Sequence, residues 1–91
     1  MNSSEFPFQI RAQRENEKCV LLFQGPIDED VRFDAIDREI GDVKTVVIDF
    51  ADVTVLNSLG IRTWMVWLRQ WIGQKDFVFR RCPKAVVDQF N

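Results

Sequence analysis

From Phe6 to Arg14, apolar Phe6, Phe8, Ile10 and Ala12 interleave with Gln9, Arg11 and Gln13. Period two marks a half-buried strand, and Pro7 pushes it towards a sheet edge. The polar turn "ENEK" leads to a short apolar run, Lys18 to Gln24, which predicts a second strand and a hairpin. Gly25 and Pro26 break that run, and Asp28, Glu29 and Asp30 gather where acidic residues cap and favour a helix start. Val31, Ala35, Ile36 and Ile40 then fall at helical spacing, predicting a helix over Val31 to Ile40 that stops at Gly41. "KTVVIDF", β-branched and almost wholly apolar, has the pattern of a central strand covered on both faces. "ADVTVLN" follows as an expected loop, then a helix over Ser58 to Ile72 ended by Gly73. "DFVFRRC" predicts a strand over Asp76 to Cys82. Pro83 opens a last helix with Val86, Val87 and Phe90 on one face. The order β-β-α-β-α-β-α implies α/β layering with helices against a mixed sheet in a single domain spanning residues 1–91.

The second helix is the most apolar. At ~100° per residue, Ile61, Trp64, Met65, Leu68, Trp71 and Ile72 share one face, with Gly60 and Trp67 at its margin. The arc spans roughly 160°, wider than the ~100° stripe that docks an ordinary surface helix. Trp64 is expected in the core. Trp67, at the margin, is expected to be partly exposed and so a candidate contact for a partner, because tryptophan is enriched at interface hot spots.

Composition narrows the chemistry. The chain has 91 residues, 46% hydrophobic and 29% charged, with net charge −2. That suits one small folded domain. It offers no basic face for nucleic acid, no apolar run of membrane-crossing length and no signal peptide at its start. A cytoplasmic protein without membrane insertion is the expectation. There is no histidine and no tyrosine, which excludes Ser-His-Asp and Cys-His catalysis and histidine-ligated metal within this chain. No set of acid, base and nucleophile can be assembled, and no metal or cofactor is expected. Cys19 and Cys82 read as packed thiols, not a disulfide.

Chemistry of a different kind gathers at "VLNSLGIRTW". Asn57 and Ser58 lie where a loop enters a helix, and either can cap it. The free N–H groups and positive dipole end there suit an anion, including a phosphoryl group on the serine. Arg62 lies one turn beyond Ser58, placed to pair with such a charge. Gly60 omits a Cβ where helix and sheet must approach closely. Asp28, Glu29, Asp30, Asp34 and Asp37 form an acidic patch; within it Asp28 and Asp30 are second candidates for partner contact.

"VKTVVIDFADVTVLNSLGIRTW" resembles the signature of STAS domains, the sulfate transporter and anti-sigma factor antagonist family. Asp49 matches that family's strand aspartate, Ser58 its phosphorylatable serine and Gly60 the following glycine. "FQGPIDED" is similar to the family's Gly-x-Leu-Asp element through Gly25, Ile27 and Asp28. The resemblance covers Lys18 to Ile72 in order, and "FVFRRCPKAVVDQF" resembles the next strand and helix. Two positions depart from it: Asn57 stands where the family has aspartate, and Leu59 where it has a second serine. The family usually continues with a further strand and helix.

The resemblance implies a mixed sheet with helices mainly on one face. It also implies a non-enzymatic regulator that binds a protein partner, an anti-sigma factor kinase and its opposing phosphatase, and is switched by phosphorylation at Ser58. Asp49 is expected to fix the adjoining loop by hydrogen bonds. Two alternatives stand beside the switch: an interaction subunit or scaffold that is not phosphorylated, and a small-ligand module for a nucleotide or lipid.

Overall fold

The computed structural model describes residues 7–88. Seven elements follow the expected order: β1 (Gln9–Glu15), β2 (Lys18–Ile27), α1 (Ile36–Ile40), β3 (Thr45–Leu56), α2 (Ser58–Trp71), β4 (Asp76–Arg80) and α3 (Lys84–Val87). The protein is a small α/β domain with a four-stranded mixed sheet ordered β1-β2-β3-β4. β1 and β2 form the expected antiparallel hairpin, turned at Asn16 with φ 58°, and β1 lies at an edge. β2 pairs with β3, and β3 with β4, in parallel.

Alternation on the strands decides where the core sits. Cys19, Leu21 and Phe23 of β2 and Val46, Ile48 and Phe50 of β3 point to one face. Against them α1 sets Ile36 and Ile40, α2 sets Ile61, Trp64, Trp67 and Leu68, and α3 sets Val86, in one continuous cluster. Phe23, Phe50, Trp64 and Phe79 run through it edge to face, with ring centroids 5.4 to 5.6 Å apart. Such pairs add about 0.5–1.5 kcal/mol each beyond the area they bury. The opposite face carries Val20, Val47 and Val78 in register, and no described helix covers it. Val47 is nevertheless buried there, as a central strand requires.

Three expected elements change. α1 begins at Ile36, not Val31, and Ala35 before it supplies no side-chain cap. The acidic residues upstream cap nothing: the Asp28 carboxylate accepts the Asp30 N–H at 3.0 Å and its carbonyl accepts the Val31 N–H at 3.1 Å, closing a turn. Val31 and Phe33 are buried while Arg32 and Asp34 are exposed, so the apolar residues alternate here before they turn helical. Gly41 ends α1 as expected, at φ 44°.

β3 runs on to Leu56 through the expected loop, because Gln24 to Ile27 of β2 pair with Asp52 to Leu56 across two irregularities in register. β4 stops at Arg80, since Arg81 takes φ 52°. Pro83 lies just before α3, whose Val86 is buried and Val87 exposed; Phe90 falls outside the described residues. No described helix is long and apolar enough to cross a membrane.

Candidate functional site at the start of α2

The end of β2 and the start of α2 meet at Gly60. A Cβ there would lie 2.1 Å from the Ile27 carbonyl oxygen, closer than any side chain tolerates. The Asn57 N–H donates to that same carbonyl at 3.2 Å. Asn57 is the cap: its Oδ1 accepts the Gly60 N–H at 2.8 Å. Its Nδ2 donates to Glu29 Oε1 at 3.0 Å, tying the turn after β2 to the start of α2. The Asn57 amide and the backbone N–H of Glu29, the larger influence of the two, hold the Glu29 carboxyl below its ordinary range. One side chain thus performs both tasks.

Ser58 is the first residue of α2 and is exposed. With Asn57 capping, its hydroxyl is spare. Arg62 follows one turn later, also exposed, and with Ser58, Ile61, Met65 and Arg69 lines a depression of about 340 Å³. Among the described residues neither Arg62 nor Arg69 has an ion-pair partner. Leu59, the departure from the family pattern, is 51% exposed, and Val66 further along α2 is 54% exposed.

On the other flank of α2 lies a groove of about 650 Å³, where Glu29, Asp30, Asp34 and Asp37 face Val66 and Trp67. Asp30 therefore stands at this groove. Asp28 lines a smaller neighbouring hollow with Pro7, Phe8 and Pro26. α2 divides an acidic groove from a depression with two arginines, and Ser58 stands at the head of the second.

Trp67 corrects the expectation placed on it. It is 5% exposed and belongs to the core, where partial exposure was expected. It stands at the margin of the apolar arc, but Phe33 and Phe77 pack against its ring. Its indole N–H donates to Asp37 Oδ1 at 2.8 Å, and the Trp71 N–H reaches the same oxygen at 3.1 Å. Sequence reasoning missed Asp37 in this role. The signal was the i,i+4 spacing of the two tryptophans, whose N–H groups need an acceptor when ring and helix are packed.

Asp49 is 8% exposed and holds the residues that follow it, as expected, though these continue a strand instead of a loop. Its Oδ1 accepts the Ala51 N–H at 2.9 Å, and its Oδ2 pairs with Arg81 at 3.0 Å, tying β3 to the chain after β4. Burial pushes the Cys19 and Cys82 thiols up from their ordinary range, away from the reactive thiolate. Among the described residues no three His, Cys, Asp or Glu side chains group to hold a metal ion.

No family model matches this chain, and no curated protein matches it in sequence. Its fold is shared with solved structures of Mglu. The native form aligns with TM-score 0.59 at 21% identity over 81% of this chain and 23% of that one. A second Mglu structure gives 0.62 at 23% identity, over 81% and 19%. Mglu in its native form in the presence of 4.3 M NaCl gives 0.63 at 15% identity, over 85% and 27%. This chain therefore spans about a quarter or less of the length of the proteins it resembles, and the likeness is one of fold.

Proposed function

We propose that this domain is a non-enzymatic, cytoplasmic regulator of STAS type that binds a protein partner over the start of α2, and that phosphorylation of Ser58 switches the complex. One observation carries the reading: Ser58 is exposed at the first helical position with a hydroxyl released from capping by Asn57. A phosphoryl group there adds about −1.5 to −2 charges and three acceptor oxygens. It would meet the helix N–H groups and Arg62, which favour it, and would add to the charge of Asp28, Glu29 and Asp30. A partner seated with an apolar surface on exposed Leu59 would have to bury that added charge and would lose its match.

Asn57 suits this arrangement. A carboxylate at the same position would stand against Glu29, whereas the amide donates to it.

Intact-mass measurement of protein isolated from its own cell tests the switch, together with Ser58→Ala and Ser58→Asp. The expected outcome is one added phosphoryl group, absent in Ser58→Ala, and loss of the co-purifying partner in Ser58→Asp. An unmodified Ser58, with every partner retained by Ser58→Asp, would overturn the switch and favour an interaction subunit that is not phosphorylated. In that second case Leu59→Ala, not Ser58→Ala, should release the partner.

A further inference from the structure

The two edges of the sheet are built differently. β1 presents Gln9, Arg11, Gln13, Arg14 and Glu15, charged and polar positions that discourage edge pairing. β4 reads Asp76-Phe77-Val78-Phe79-Arg80, with three consecutive apolar residues and no proline, glycine or bulge. Among the described residues nothing pairs with its outer edge. Val78 is 46% exposed on the sheet face that no described helix covers, and Phe77 and Phe79, stacked with centroids 6.2 Å apart, are only half-buried. Asp76 and Arg80 are both exposed, and neither has an ion-pair partner among the described residues.

We infer that β4 is the interface with a second copy of this chain, the two strands pairing antiparallel about a two-fold axis at Val78. The strand is complementary to itself in that register. Side chains directly opposite one another in an antiparallel pair share a face. Asp76 then faces the partner's Arg80, Arg80 faces the partner's Asp76, and Val78 faces the partner's Val78, all on the uncovered face. Phe77 faces the partner's Phe79 on the core side. Any other register, or a parallel one, breaks both ion pairs.

The backbone agrees. The Asp76 N–H donates inward to Lys44, so by alternation Phe77 and Phe79 direct their N–H and C=O outwards. In this register they are the residues that exchange hydrogen bonds with the partner's Phe79 and Phe77. Val78 falls in a non-hydrogen-bonded pair, where side chains approach most closely. The result is one continuous sheet through both copies, with Val47 and Val78 of each forming an apolar strip across the join. The interface involves neither Ser58 nor the groove beside α2, so it stands or falls apart from the switch.

Sedimentation equilibrium over a concentration series tests this with the wild type, Asp76→Arg, Arg80→Asp and the double charge swap. Thermal unfolding shows that each variant is folded. The wild type should dimerise. Each single reversal should weaken association by about tenfold, because two attractive cross-strand pairs become repulsive, and the double swap should restore it. Hydrogen exchange supplies a readout without substitution: Phe77 and Phe79 amides should gain protection with concentration, while Asp76, Val78 and Arg80 should not. A wild type that stays monomeric throughout, single reversals without effect, or a swap that fails to recover would overturn the pairing.

Discussion

The helices that follow β2 and β3 begin in opposite ways. α2 starts abruptly: β3 ends at Leu56, Asn57 caps, and Gly60 presses on the Ile27 carbonyl. α1 starts late, after a turn closed by Asp28 and an alternating stretch through Phe33, with no side-chain cap at Ala35. Yet the segment before α1 carries far more residues of the kind that favour helix starts. Acidic composition near a helix is therefore not what begins it. A single side chain with extended backbone geometry, φ −118° and ψ 169° at Asn57, does so, because only then does the side-chain oxygen reach the N–H three residues on.

Gly60→Ala is the most direct way to break the contrast. Its Cβ would collide with backbone on β2 and not with a flexible side chain, so α2 must lift from the sheet. The expected loss exceeds about 3 kcal/mol, read as a collapse of the urea midpoint. Asn57→Ala should cost about 1–2 kcal/mol by the same measurement, the range of a lost N-cap.

Asn57→Ala also bears on Glu29. That carboxyl is held low in the fold, so its contribution is present above its unfolded pKa and is lost as pH falls through the folded one. Removing the Asn57 amide should move the Glu29 midpoint upwards in an NMR titration, with the residue's own N–H preserving the rest of the depression. Asp34→Ala tests the other helix start. It should change stability by no more than about 0.5 kcal/mol, since that side chain holds no hydrogen bond among the described residues and is exposed. A loss comparable to that of Asn57→Ala would show that the acids do hold α1.

Much of the architecture was legible because periods of two and of 3.6 survive in short windows. The hairpin, the central strand, the start of α2 and the close approach at Gly60 all follow from local pattern. What escaped depended on partners distant in the chain. Residues 51–56 looked like a loop since both faces stay largely exposed, and only pairing with the end of β2 extends them. Trp67 looked marginal on a helical wheel, which cannot show Phe33, Asp37 and Phe77 closing over it. At the site, Asn57 and Ser58 were indistinguishable as caps by residue type. The extended backbone of Asn57 and its bond from the Gly60 N–H assign the cap to Asn57 and leave Ser58 with a spare hydroxyl.

The shared carboxylate of Asp37 has a consequence for how the molecule loosens. α1 has five residues, too few to persist as a helix in isolation. Besides Ile36 and Ile40 in the core, it is tied to α2 by one oxygen that takes N–H bonds from both Trp67 and Trp71, on the last turns of α2. Fraying α1 therefore strips an acceptor from two indoles at once, and loosening that end of α2 strips α1 of its hold. The amides of α1 and of the final turns of α2 should therefore exchange together, and earlier than those of the central strand.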